Sequence, residues 1–140
     1  MKNVIAIACG FVKGKNLGEN AKAAIITRGI SEIVKLGINM GAKRKTFYGL
    51  SGIGDLTLTC SSLKSRNTKF GYDLAKGGKL GDLKANCVLE GFESCESICK
   101  LGQKYSVELP LCNSVKKLIS GVSANTIISN LLSRPLQFEN

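Results

Sequence analysis

The stretch Asn20-Ala21-Lys22-Ala23-Ala24-Ile25-Ile26-Thr27-Arg28-Gly29-Ile30-Ser31-Glu32-Ile33-Val34-Lys35-Leu36-Gly37-Ile38-Asn39-Met40 decides the fold. Within it Ala23, Ile26, Ile30, Ile33, Gly37 and Met40 recur every three or four residues, the spacing of one face of an α-helix. Asn20 can accept hydrogen bonds from the first unpaired N–H groups and is the predicted N-cap. Arg28 and Glu32 stand four apart on another face. They read either as a surface ion pair contributing about 0.2–0.5 kcal/mol or as a buried arginine bracing a site.

Working outward, residues 3–13 are small and apolar, from Asn3-Val4-Ile5-Ala6 to Phe11-Val12. A segment apolar all round is a buried helix, with a short strand as the competing reading. Gly14, Asn16 and Gly18 break it. On the other side, Lys43–Leu50 reads as a turn and a short helix ending at Gly49. Ser65 is the predicted N-cap of a helix from Arg66 to Lys76, stopped by Gly77-Gly78. Val88-Leu89-Glu90-Gly91 reads as a connector into a helix from Phe92 to Leu101. Pro110 suits the first turn of a helix that ends near Gly121, and a last short helix spans Asn125–Leu132. The expected fold is all-α: one multi-helix domain over residues 1–140, without repeats or an internal boundary.

Composition agrees with that class. Hydrophobic residues make up 44% of the 140, and two prolines and 6% aromatics disfavour a sandwich or barrel. The net charge of +10 points toward anionic partners. The basic residues are scattered, however, and the runs Lys43-Arg44-Lys45 and Lys116-Lys117 read as solvated faces. Without interleaved stacking aromatics, no nucleic-acid partner is expected. The run Val4–Ala8 is too short for a secretory signal, and nothing approaches the roughly 20 apolar residues of a membrane span. The chain has six cysteines and no histidine. No CxxC pair occurs, so a zinc site is not expected. Cys95 and Cys99 share a helix face as small packing residues, and irregular spacing favours reduced thiols in the cytoplasm.

The chemistry gathers around Gly49-Leu50-Ser51-Gly52-Ile53-Gly54-Asp55-Leu56-Thr57-Leu58-Thr59-Cys60 and Ser65-Arg66-Asn67. The glycines spell G-x-x-G-x-G, the reverse of the dinucleotide fingerprint, and follow no βαβ pattern, so a Rossmann reading fails. Without histidine, Ser-His-Asp and Cys-His nucleophilic catalysis are excluded. A different constellation survives: Lys2, Asn3, Asp55, Thr59, Ser65, Arg66 and Asn67. A helix starting after Ser65 would offer unpaired N–H groups and a guanidinium to a phosphate. An ammonium held by Asp55 could stabilise negative charge developing on a carbonyl oxygen.

Lys2-Asn3-Val4-Ile5-Ala6-Ile7-Ala8, Asn20–Gly29, Gly52–Cys60, Ser65-Arg66-Asn67, Leu89-Glu90-Gly91 and Ser133-Arg134-Pro135 resemble the C-terminal domain of bacterial NAD(P)-dependent glycerol-3-phosphate dehydrogenases. The resemblance runs along essentially the whole chain. It implies an all-α substrate-binding domain, of the kind also found in 6-phosphogluconate dehydrogenases. It implies reversible conversion of dihydroxyacetone phosphate to sn-glycerol 3-phosphate for phospholipid synthesis.

By the same resemblance, Lys2 is the catalytic acid/base and Asp55 its catalytic partner. Both contact substrate, together with Asn3, Thr59, Ser65, Arg66 and Asn67. Arg66, Val88 and Glu90 also touch the cofactor, NAD or NADP. Most of the cofactor site would lie in an N-terminal Rossmann domain, which residues 1–140 do not contain. That partner would be needed in cis or in trans. The chain therefore reads as an excised domain or the product of a split or decayed gene, inactive alone. A homodimer stands open, since removing a partner domain exposes apolar surface. The alternative reading is a helical interaction or dimerisation module without chemistry.

Overall fold

The computed structural model describes residues 2–41, 66–76 and 85–120, with side chains given from residue 3 in the first segment and from residue 92 in the third. These form five helices: α1 (Lys2–Gly14), α2 (Glu19–Asn39), α3 (Arg66–Ala75), α4 (Ala85–Lys104) and α5 (Pro110–Ile119). Among the described residues there is no strand, in agreement with the all-α expectation. The expected short helices at Lys43–Gly49 and Asn125–Leu132 lie outside the described residues.

The buried helix expected at residues 3–13 is α1, and the other four helices pack around it. Val4, Ile5, Ala6 and Ile7 are all 0% exposed, so even successive residues on opposite faces are covered. An amphipathic helix would expose half of such a run; between Val4 and Val12 α1 is apolar all round and buried all round, with Asn3 and Lys13 exposed at its ends.

The tightest seam joins α1 to α3. Gly10 lies against the backbone of Thr68 and Tyr72, and Gly14, one turn on, against Tyr72 and Ala75. Gly71 in turn lies against the backbone of Ile7 and Phe11. A Cβ at Gly10 or Gly71 would collide with a backbone carbonyl oxygen, so these positions must be glycine for the two backbones to approach. Partner numbers rise together along both helices, so α1 and α3 run parallel and their N-termini share one end.

The helix opened by the deciding stretch is α2, with two corrections. Its N-cap is Gly18, at φ 92° and ψ 172°, and no side chain caps it; Asn20 is already inside the helix. That backbone conformation is open to glycine and strained for other residues, so chain geometry outranked the capping preference of asparagine. Second, the core-facing line is Ile25, Gly29, Glu32 and Leu36, one residue from the apolar stripe read from the sequence. Ile26, Ile30 and Ile33 flank this line half-buried, whereas Ala23 is exposed and Met40 is 47% exposed. Gly29 is on the line because Ile5 of α1 occupies the space its side chain would take.

Helix α3 matches its expected bounds. Helix α4 starts earlier than expected, so Val88–Gly91 is helical and no connector. A single glycine inside a helix costs only about 1 kcal/mol, and Leu89 and Glu90 before it and Glu93 and Glu96 after it are strong helix formers. Both α1 and α4 end in Schellman turns. Leu17 N–H donates to Val12 O and Asn16 N–H to Lys13 O, with Asn16 at φ 55°. Val107 N–H donates to Gly102 O and Ser106 N–H to Gln103 O, with Ser106 at φ 57°.

Candidate functional site

The parallel α1–α3 seam determines where the expected site residues lie. Gly10 sits between the levels of Thr68 and Tyr72, so the start of α3 is level with Ile5 and Ala6. Lys2 and Asn3 reach about one turn, roughly 5 Å, beyond it at the same end. Arg66 is exposed as the first residue of α3, Asn67 is half-buried, and Asn3 is exposed in the first turn of α1. Neither helix has an acidic residue in its first turn. Two aligned helix N-termini with no carboxylate in their own first turns make an anion-attracting end. Arg66 adds a fixed cation there.

The structure thus brings Asn3, Arg66 and Asn67, and the backbone of Lys2, to one end of the bundle. Val88 and Glu90 lie in the first two turns of α4, which also lacks an acidic residue in its first turn; their backbone alone is described. Asp55, Thr59 and Ser65 lie outside the described residues.

A residue with a different role emerges in α2. Glu32 is not an exposed ion-pair partner; it is 5% exposed. Its carboxylate accepts from the N–H of Leu111 at 2.5 Å and from the N–H of Cys112 at 3.4 Å. The N-cap of α5, Leu109, has no side-chain acceptor, and Pro110 at the first position has no N–H. The next two N–H groups therefore need an acceptor, and α2 provides it across the core. Burial pushes the Glu32 carboxyl up to about 7, against the lowering effect of the two N–H bonds and the charges of Lys35 and Arg28. Once the core-facing line is known to be Ile25–Gly29–Leu36, a carboxylate on it needs a buried partner.

Cys95 and Cys99 are buried in the core as expected, joined by Cys112 of α5, and Cys9, Cys95, Cys99 and Cys112 are free thiols. Among the described residues, no cluster of cysteines and carboxylates has the geometry of a metal site. No described helix is long and apolar enough to cross a membrane.

The described residues thus form an all-α domain with two helix starts at one end, suited to an anion. The family model for the NAD-dependent glycerol-3-phosphate dehydrogenase C-terminus matches residues 1–129, and the chain belongs to this family. It is similar to the NAD(P)+ glycerol-3-phosphate dehydrogenase of Parvibaculum lavamentivorans, 43% identical over 99% of this chain and 43% of that protein. The Zymomonas mobilis enzyme of the same name is 46% identical, over 99% of this chain and 42% of that protein. The crystal structure of glycerol-3-phosphate dehydrogenase from Coxiella burnetii superposes with a TM-score of 0.82 at 36% identity, covering 95% of this chain and 42% of that one. The chain therefore spans about two fifths of the length of the relatives it matches.

Proposed function

We propose that this chain is the substrate-binding and catalytic-lysine half of an sn-glycerol-3-phosphate:NAD(P)+ 2-oxidoreductase acting in the cytoplasm. The observation that carries the reading is the shared end of α1 and α3, where Asn3, Arg66 and Asn67 meet the start of the helix that Lys2 opens. In this reading Arg66, Asn67 and Ser65 hold the substrate phosphate through the start of α3. Lys2, oriented by Asp55, exchanges a proton with the carbonyl or hydroxyl oxygen and stabilises its charge. Asn3 and Thr59 support the bound substrate.

An exposed arginine at a helix start without first-turn acids also fits an anionic dinucleotide. NAD or NADP would be held here by Arg66, Val88 and Glu90; when bound, its reduced form would supply the hydride to the ketone and its oxidised form would take it from the alcohol. The rest of its site belongs to a Rossmann partner, in cis or in trans.

The test is NADH oxidation with dihydroxyacetone phosphate. The purified chain alone is expected to show none. Adding the Rossmann half of a relative such as the Zymomonas mobilis enzyme is expected to produce turnover that Lys2→Ala abolishes. Oxidation by the chain alone would overturn the division of labour. Failure of a demonstrably formed complex to turn over would favour the interaction module.

A further inference from the structure

Three cysteines outside the proposed site converge where α4 packs on α5. Cys95 and Cys99 are one turn apart on α4, and Cys112 faces them from the first turn of α5. The Sγ atoms of Cys99 and Cys112 are 3.3 Å apart. Each thiol also has an acceptor off the sulfur–sulfur axis. Cys99 donates to Asn113 Oδ1 at 3.1 Å, and Cys112 donates to the carbonyl oxygen of Cys95 at 3.4 Å. The two sulfurs can therefore face each other with their hydrogens turned aside. The Cys95 carbonyl oxygen accepts from Cys112, and the Cys95 thiol neighbours Cys112 as well.

We propose that Cys99 and Cys112 form a reversible thiol–disulfide modification site that cross-links α4 to α5. The sulfurs have to close by about 1.2 Å to reach the bond length of a disulfide, about 2.05 Å. The bond would fasten α5, already held to α2 through Glu32, to α4 as well. Cys99 is the entry point, because it is 9% exposed whereas Cys112 is 0% exposed.

A small azodicarboxamide suits the tight approach. The Cys99 thiolate adds to one nitrogen of the N=N bond, forming an S–N bond. The Cys112 thiolate then attacks Cys99 Sγ, the S–S bond forms and the S–N bond breaks. The hydrazine product leaves with both thiol protons. Two thiols lose two electrons, and the N=N bond gains them.

The reaction is slow near neutral pH. Burial, with the hydrogen bond to Cys112, pushes the Cys99 thiol up to about 12; the charge of Glu32 adds to this and that of Lys116 opposes it. The Cys112 thiol is raised as well, by its side-chain hydrogen bond with Cys95 and by burial. Since the thiolate is the nucleophile, the rate is expected to climb about tenfold per pH unit above neutrality.

The full chain is treated with the azodicarboxamide at neutral and alkaline pH, its remaining thiols are alkylated, and it is cleaved after glutamate. Cleavage at Glu96 separates Cys95 from Cys99, and cleavage at Glu108 separates Cys99 from Cys112. The expected product is one cross-linked pair, residues 97–108 joined to the fragment carrying Cys112, released by dithiothreitol. Cys99→Ser is expected to abolish it and Cys9→Ser to leave it. In urea the preference for this pair is expected to scramble. A dominant link through Cys60, Cys87 or Cys95, no link at alkaline pH, or the same preference in urea would overturn the proposal.

Discussion

At the scale of single residues, Glu32 carries the largest consequence. Its carboxyl is raised from the ordinary 4.5 to about 7 by burial. The folded state therefore binds a proton more tightly than the unfolded chain between those values. The resulting stabilisation is fully present below about pH 4.5 and is lost as pH rises through about 7. It amounts to about 3 kcal/mol. Glu32→Gln keeps one acceptor for the start of α5 and removes the titration. Urea unfolding at pH 5 and pH 8 should show wild type losing stability across this interval relative to Glu32→Gln. Equal slopes for the two proteins would contradict the buried position. This residue also shows what sequence reading conceals. Glu32 and Arg28 are four apart, which is the signature of a surface pair, and the partner that matters lies 79 residues away. Spacing along one helix does not reveal a cap supplied to another.

At the scale of elements, α1 and α3 were legible and their relation was not. A run of small apolar residues identifies a buried helix, and Ser65 with Gly77-Gly78 brackets α3 closely. That Gly10 and Gly71 are paired across a backbone seam depends on contacts between segments about 60 residues apart. Gly10→Ala pushes a methyl group into the carbonyl of Thr68, and Gly71→Ala into that of Ile7. Each is expected to lower unfolding stability by about 2–3 kcal/mol, read by chemical denaturation. A loss below about 0.5 kcal/mol would mean that the seam is looser than described. The start of α4 was misplaced because Gly91 read as a break, although its cost is small against the helix formers around it.

At the scale of the whole molecule, the fold class and the order of the helices followed from periodicity, and the family followed from its motifs. The end proposed to hold the site did not, because local patterns do not say which helix starts lie together. The parallel seam brings the starts of α1 and α3 to one end, free of first-turn acids, and the account rests on that convergence. Calorimetric titration of the chain with dihydroxyacetone phosphate tests it most directly, comparing wild type, Arg66→Ala and Lys117→Ala, the last an exposed cation in the final turn of α5. The account predicts saturable binding by wild type and Lys117→Ala, with at least a tenfold loss in Arg66→Ala, about 1.4 kcal/mol. Binding that Arg66→Ala leaves intact, or that falls equally in both variants, would contradict it.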